Sequence, residues 1–233
     1  MKRFAHRLAI LSTLILASTA AHAGAPLTTE DADVLGDGDC EAEATWARNG
    51  TLVDGLHKHY ESGVKFGCGI VRRAQVGTTF GRSRSDTDLS DSLGISGKLS
   101  LLDSSDGGLG ISVAWEMSAY LQRREASRWQ SARIALVASQ ALGRSVRVHA
   151  NLGAMHAHVE RAETPFWGVA AEWSARDDLS LLVESYGERH AKPTLAIGLR
   201  FSPRELLTIG LLKSRAGGSP SWNSLGISVN LSL

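Results

Sequence analysis

The sequence predicts an all-β protein, a transmembrane antiparallel β-barrel of about twelve strands that follows a cleaved signal peptide. Its last residues, 225–233, alternate strictly between apolar side chains and small or polar ones. A β-strand points successive side chains to opposite faces, so this strand has one face suited to hydrocarbon and one suited to water. Two further observations support the prediction: an export signal at the other end of the chain, and no helix-period segment beyond it.

The first 23 residues have the three regions of a secretory signal peptide. Basic residues between positions 2 and 7 precede a mostly apolar run over residues 8–17, and Ala21-His22-Ala23 supplies a small-x-small cleavage site. The mature chain is therefore predicted to start near Gly24. The apolar run is too short to span a bilayer, and no later segment has about 20 uninterrupted apolar residues. Only helices and closed barrels satisfy their backbone groups inside a membrane, so the sequence favours the barrel.

Charge and composition exclude some functions. The chain has 233 residues, with 25 Lys and Arg against 24 Asp and Glu, and a net charge of +1. Nucleic-acid binding usually shows as a basic excess, so no nucleic-acid partner is expected. The mean hydropathy of −0.07 fits a barrel that is apolar outside and polar inside. The expected partners are outer-membrane lipid, the barrel-assembly machinery during insertion, and a small-molecule solute.

Turn residues divide the mature chain into a polar periplasmic N-terminal extension, residues 24–39, and the barrel, residues 40–233. Short periplasmic turns and longer outer loops are typical of outer-membrane barrels, which places both termini in the periplasm. Tight connections are predicted near residues 72–73, 104–107, 143–144, 176–178 and 202–204. The predicted strands are roughly 40–48, 56–70, 75–84, 90–103, 108–121, 128–141, 145–158, 165–175, 179–187, 193–202, 205–214 and 222–232.

Charged side chains within the predicted strands identify the face that lines the lumen. Lys or Arg on a lipid-facing surface costs about 2–4 kcal/mol at the membrane midplane, so charged residues mark the opposite face. Two interpretations stay open: the charges pair across strands and fill the interior, or they line a hydrated path and select solutes by charge. The predicted lumen-lining residues are Glu41, Glu43, Lys65, Lys98, Glu116, Arg133, Arg147, His149, Glu172, Glu184 and Arg200.

The two cysteines, Cys40 and Cys68, are expected to meet an oxidising compartment, which favours one disulfide. Cys40 opens the first predicted strand and Cys68 nearly closes the second, so both fall at the periplasmic end of an antiparallel pair. They also share parity with the apolar residues Ala42 and Phe66, which places them on one face. The sequence therefore predicts a Cys40–Cys68 disulfide at the base of the barrel.

No pattern singles out a catalytic or cofactor-binding site. The sequence has no G-x-S-x-G motif, and its glycine pairs lie in single turns rather than in phosphate-binding loops. His57 and His59, like His156 and His158, have a spacing that a metal site can use, but both pairs lie near loop ends and lack a shared carboxylate. We therefore predict no enzyme activity, no metal and no cofactor.

The start of the mature chain resembles a known family. The stretch Pro-Leu-Thr-Thr-Glu-Asp-Ala-Asp-Val-Leu (residues 26–35), followed by Gly38-Asp39-Cys40-Glu41 and an alternating strand, resembles the start of mature proteins in the outer-membrane family named for the MetA pathway of phenol degradation. The resemblance implies a porin-like or transporter-like barrel in the bacterial outer membrane.

The function expected from the sequence is passive uptake of small solutes through an outer-membrane channel. Aromatic or hydrophobic compounds are candidate solutes through the family name alone, and no substrate-binding residue of the family can be transferred. The alternative expectation is a non-conducting structural or binding barrel whose interior charges pair with one another.

Overall fold

The structure, a computed structural model, describes residues 26–51, 58–85, 88–104, 108–121, 128–158, 161–204, 206–217 and 222–233. The predicted signal peptide and His57 lie outside the described residues. Among the described residues, no helix is long and apolar enough to cross a membrane.

Within those ranges, twelve antiparallel strands form one closed barrel. Each strand pairs with its neighbours in the sequence, and the first strand closes the barrel by pairing with the last. The predicted all-β transmembrane barrel of about twelve strands is therefore confirmed. The strands are β1 (Cys40–Thr51), β2 (Lys58–Val71), β3 (Ala74–Arg84), β4 (Leu89–Leu102), β5 (Leu109–Leu121), β6 (Arg128–Ala141), β7 (Val146–Ala157), β8 (Ala162–Arg176), β9 (Leu179–Glu188), β10 (Thr194–Arg204), β11 (Leu207–Ala216) and β12 (Trp222–Ser232).

The two faces of the barrel wall follow the alternation of the sequence. In β10, Leu195, Ile197 and Leu199 are exposed on the outer wall, whereas Ala196 and Arg200 between and beside them are buried in the interior. Large apolar side chains cover the outer wall of the other strands in the same way. This outer surface is the apolar band that hydrocarbon covers in a transmembrane barrel.

A disulfide joins β1 and β2 where the chain enters the barrel. Cys40 and Cys68 stand opposite each other in the strand register, with Cα atoms 4.1 Å apart, and form the bond. The predicted disulfide is therefore confirmed, together with the pairing of these two strands. Phe66 shares parity with Cys68 and is exposed on the outer wall, so the disulfide lies on the outward face.

The barrel has two ends, which are named here by their connections. The turn end, where β1 begins and β12 ends, carries the connections 72–73, 103–108, 142–145, 177–178 and 205–206. The loop end carries the connections 52–57, 85–88, 122–127, 158–161, 189–193 and 217–221.

Two connections at the turn end differ in extent from their predictions. Residues 202–204, predicted as a turn, belong to β10, and the connection predicted at 104–107 spans 103–108, since β4 ends at Leu102 and β5 begins at Leu109. The Ser104 hydroxyl in this longer connection donates a hydrogen bond to the Asp33 carboxylate at 2.6 Å. The connection is therefore long enough to contact the chain segment that precedes β1.

Phe80 and Thr79, adjacent in the middle of β3, test the assignment of the two faces. Phe80 is exposed on the outer wall, whereas Thr79 lines an interior cavity. Phe80→Arg should impair folding into lipid vesicles, because an arginine facing lipid near the midplane costs about 2–4 kcal/mol. The matched variant Thr79→Arg places the same charge in the lumen and should fold like the wild type, as measured by heat-modifiable migration on gels. Equal folding of the two variants would mean that the faces are assigned wrongly.

Candidate functional site: the barrel interior

The N-terminal segment, residues 26–39, lies inside the barrel. Its first residues, Pro26 to Thr28, share a cavity with inward side chains of β11 and β12. At its other end, the Gly38 N–H donates a hydrogen bond to the Gly69 carbonyl at 3.1 Å, just before the chain enters β1. The sequence predicted a polar periplasmic extension over residues 24–39, whereas the described part of it, residues 26–39, lies within the lumen. The reason is chemical: the lumen offers polar partners to a polar segment, so its buried groups stay hydrogen-bonded.

Side chains of β9 and β7 hold the first part of the N-terminal segment. The Glu184 carboxylate accepts hydrogen bonds from the Thr28 and Thr29 N–H groups, at 3.0 and 2.9 Å. The Asn151 amide, with its oxygen toward the Glu30 N–H, accepts from that group at 2.7 Å and donates to the Glu30 carbonyl at 2.9 Å. Each contact satisfies backbone groups that would otherwise be buried without partners.

Side chains of β5, β6 and β3 hold the next part. The Ser139 hydroxyl accepts a hydrogen bond from the Ala32 N–H at 2.8 Å, and the Ser112 hydroxyl donates to the Ala32 carbonyl. Further along, the Gln75 side-chain oxygen accepts from the Leu35 N–H at 2.8 Å. The segment therefore crosses the lumen from the β9 side to the β3 side.

Lys98 of β4 is the central cation of the interior. Its ammonium lies 3.1 Å from the Asp31 carboxylate and 3.5 Å from the Glu30 carboxylate. It also donates hydrogen bonds to the carbonyls of Asp31 and Asp33, at 3.0 and 3.3 Å. Lys98 and Asp31 are both buried. A buried charge is costly unless it is paired and hydrogen-bonded, so this ion pair depends on the segment being in place.

Arg147 of β7 forms a second ion pair with the segment. Its guanidinium contacts both oxygens of the Asp33 carboxylate, at 2.6 and 2.7 Å. The same carboxylate accepts the hydrogen bond from Ser104, so one acid joins a strand and a turn-end connection. A guanidinium bound to both carboxylate oxygens is fixed in orientation as well as in charge.

The cations of the lumen lower the pKa of the Glu30 carboxyl. Burial acts to raise its pKa, but the nearby Lys98, Lys65 and Arg133 outweigh burial, and the pKa is lowered from its ordinary value. A lowered pKa means that the stabilisation is present above the ordinary carboxyl pKa and is lost only as pH falls through the lowered value. The Glu30 side chain is 38% exposed to the lumen, so solvent screening keeps this contribution small.

Other interior groups pair across the wall. The Arg200 guanidinium of β10 lies 2.6 Å from the Glu172 carboxylate of β8, and both side chains are buried. The Arg133 guanidinium of β6 lies 4.1 Å above the centre of the Phe166 ring, a cation–π contact. These pairs fill the part of the interior bounded by β6, β8 and β10.

Open space remains on the other side of the lumen. A cavity of about 630 Å³ lies near the loop end, between the start of the segment and strands β1, β2, β11 and β12. Two smaller cavities, of about 210 and 190 Å³, follow along β1 to β4 beside the segment. A fourth, of about 430 Å³, lies near Arg133 and shares Thr28, Tyr186 and Thr194 with the first. The segment therefore packs against one side of the barrel and leaves space along the other.

The eleven charged or titratable residues predicted for the lumen all occupy inward positions. Six are described by their contacts with the segment or with another wall residue: Lys98, Arg147, His149, Glu172, Glu184 and Arg200. The other five line the cavities: Glu41, Glu43, Lys65, Glu116 and Arg133. The two sets overlap, because Lys98 also lines two cavities, Arg133 also contacts Phe166, and Glu41 also accepts a hydrogen bond from Asn230.

Sequence reasoning missed the acids of the segment and their polar partners on the wall. Asp31 and Asp33 were interpreted as part of the polar extension. An inward serine such as Ser139 cannot be distinguished by sequence from any other serine in an alternating strand. One signal was present, namely glycine at inward positions. A Cβ atom at Gly168 would lie 2.7 Å from the Thr29 hydroxyl, so the segment passes too close to β8 for a side chain at this position. Gly38, at φ +84°, then lets the chain turn into β1.

No metal site is found in the part of the chain that the structure describes: no three His, Cys, Asp or Glu side chains are grouped to hold an ion. His156 and His158 have ring centroids 6.5 Å apart and are both exposed. The absence of a cofactor stays a prediction.

The fold and the wall define a transmembrane β-barrel whose lumen holds its own N-terminal segment. The chain belongs to the family described as "Uncharacterised conserved protein UCP029691", whose model matches residues 11–231. No curated protein matches the chain. None of these comparisons supports the phenol-degradation name that the resemblance at residues 26–41 implied.

Solved structures with a similar fold are outer-membrane proteins. The COG4313 outer membrane channel from Pseudomonas putida F1 is 10% identical, with a TM-score of 0.66 over 89% of this chain and 100% of that chain. A KdgM porin in complex with disordered oligogalacturonate is 6% identical, with a TM-score of 0.65 over 83% and 99%. Outer membrane phospholipase A from Escherichia coli is 8% identical, with a TM-score of 0.51 over 82% and 95%. At these identities the similarity shows the fold alone.

Removing the Lys98 ammonium should release the N-terminal segment. Lys98→Met leaves Asp31 buried without its counter-charge, and breaking one side of a buried ion pair costs about 3–5 kcal/mol. Limited proteolysis of the folded barrel should then cut within residues 26–39, which the wild-type barrel protects. Lys213→Met removes an exposed lysine of the outer wall and should leave the protection unchanged. Full protection in Lys98→Met would show that this ion pair does not hold the segment.

Proposed function

We propose that this protein is a channel of the bacterial outer membrane, through which small hydrophilic solutes pass beside the N-terminal segment. The observation that carries the proposal is the run of adjoining cavities along β1 to β4. The predicted export signal, the apolar outer wall and the fold similarity to outer-membrane channels and porins support the location.

The proposed path follows cavities that adjoin one another, since neighbouring cavities share wall residues. The first and second share Glu43 and Thr45, and the second and third share Lys65 and Gln75. The first cavity reaches Asn49 near the loop end, and the third reaches Leu35 and Glu41 near the turn end. A solute that moves along this side of the lumen would not have to displace the segment.

The lining of the path favours hydrophilic and positively charged solutes. Rings of carboxylates are the usual means by which pores select cations. Among the described residues lining the three cavities, Glu30, Asp31 and Asp33 are ion-paired with Lys98 or Arg147. The excess of acid along the path therefore rests on Glu41, Glu43, Glu61 and Glu116 against Lys65. Uptake of aromatic compounds, which the family resemblance implied, gains no support from this lining.

The alternative function is a non-conducting structural or binding barrel. The observation that favours it is the anchoring of the segment, which Lys98, Arg147 and Glu184 hold at successive positions across the lumen. In that case the cavities would hold water without connecting the two sides of the membrane. Conductance separates the two functions.

A hydrolytic activity gains no support from the serine–histidine pairs. Ser83 Oγ lies 2.5 Å from His59 Nε2, but Glu61 lies 3.7 Å from that same nitrogen. An activated serine needs its histidine oriented by a third group at the other ring nitrogen. A second pair, Ser139 and His149, is buried beneath the segment, where no substrate has access. We therefore propose a function without catalysis.

Conductance across planar bilayers tests the proposed channel. The wild-type protein should conduct, and in a KCl gradient its reversal potential should show a preference for K⁺. Glu43→Gln combined with Glu61→Gln should lower that preference by about twofold, because two carboxylates leave the path.

The matched control is Glu163→Gln with Asp177→Asn, which removes two acids outside the lumen and should leave the reversal potential unchanged. A wild-type protein that is folded but silent would favour the non-conducting barrel. A silent wild type that conducts after deletion of residues 26–35 would show that the segment closes the lumen rather than leaving a path beside it.

The orientation of the barrel follows from its connections, since outer loops are the longer ones in outer-membrane barrels. An epitope inserted after His190, in the 189–193 connection of the loop end, should bind antibody on intact cells. The same epitope after Gly143, at the turn end, should bind only after the outer membrane is permeabilised. The opposite pattern would invert the orientation.

A further inference from the structure

We propose that the outer wall at the loop end binds the phosphate groups of a lipid of the outer leaflet. The proposal rests on the proposed function for its orientation, in which the loop end faces the cell exterior. Its basis is a row of cations on the outward face of β11, β1 and β3, the strands on either side of the barrel closure.

Lys213, Arg48 and Arg84 lie in one row across the sheet. Lys213 of β11 and Arg48 of β1 both stand opposite Leu225 of β12. Arg48 and Arg84 of β3 both stand opposite Tyr60 of β2. Neighbouring strands are about 4.7–4.9 Å apart, so the three cations follow one another at intervals of about 9–10 Å.

The three cations are available to a ligand. Their side chains are exposed, and each lies within three residues of the loop end of its strand. Among the described residues, none of the three forms an ion pair. A neighbouring cation on the same face, Arg82, differs in this respect because it pairs with Asp91 at 2.6 Å.

Two aromatic side chains place the row at the level of lipid headgroups. Trp46 precedes Arg48 by two residues on the same face, and its ring centroid lies 6.1 Å from that of Tyr60. Tryptophan and tyrosine are enriched where hydrocarbon meets the polar headgroups. Toward the turn end the same face continues as apolar side chains, for example Val64 and Leu211.

This arrangement fits an amphiphile with an anionic head. An unpaired cation is costly on a lipid-facing wall, but phosphate groups at the interface would neutralise it through charge-assisted hydrogen bonds. Acyl chains of the same molecule would lie on the apolar wall below. At the turn end, by contrast, the exposed arginines Arg72 and Arg144 lie within connections rather than in a row on the wall.

Binding of lipid A, a diphosphorylated glycolipid, to the purified barrel in detergent tests the proposal, with native mass spectrometry as the readout. The wild-type barrel should retain lipid A, and dephosphorylated lipid A should bind markedly less. The triple variant Arg48→Gln/Arg84→Gln/Lys213→Gln should bind lipid A about 100-fold more weakly, since each cation near a lipid phosphate contributes roughly a factor of five. Heat-modifiable migration on gels reports that the variant is folded.

The matched control, Arg72→Gln/Arg144→Gln/Arg204→Gln, removes three exposed cations from the turn end and should bind like the wild type. Equal lipid A binding by the two triple variants would overturn the proposal, as would displacement of the lipid by millimolar inorganic phosphate, which would identify a site for free phosphate. This comparison does not depend on the conductance of the wild type. The proposed lipid site can therefore be rejected while the proposed channel stands, and the channel can be rejected while the lipid site stands.

Discussion

Closure of the sheet between β1 and β12 is the constraint on which the rest of the structure depends. A sheet with a free edge cannot lie in hydrocarbon, because the N–H and C=O groups of that edge would have no partners. The register from Glu41 opposite Ser232 to Thr51 opposite Trp222 removes the edge. Once the barrel is closed, the period of two sends the polar residues of every strand into one enclosed volume. Charge is therefore concentrated inside, where each group must find a partner.

The N-terminal segment supplies a large part of those partners. Lys98 is neutralised by Asp31, and Arg147 by Asp33, whereas the Glu184 carboxylate is hydrogen-bonded by backbone N–H groups of the segment. Without the segment, these wall residues would be buried charges lacking a counter-charge, or would need water in its place. The segment is therefore part of the interior of the barrel and not an appendage to it.

The strands and the inward face could be predicted from the sequence because both follow from a local period of two. The pairing of β1 with β2 could be predicted from the shared parity of Cys40 and Cys68. The position of the segment could not be predicted in this way. Ala32 contacts Ser139, 107 residues away, and no local pattern in a polar stretch distinguishes burial in a polar lumen from exposure to solvent. The contact of Ser104, in the connection after β4, with Asp33 could not be predicted for the same reason.

The geometry distinguishes two ways in which a barrel with an occupied lumen could conduct. Expelling the segment would separate the partly exposed Arg147–Asp33 pair and the buried Lys98–Asp31 pair, and a buried charge left without its partner costs about 3–5 kcal/mol. Passage beside the segment does not require either pair to break, because the three cavities lie next to the segment in the position that these pairs hold. A hydrated path next to a fixed segment therefore reconciles a well-paired interior with permeability.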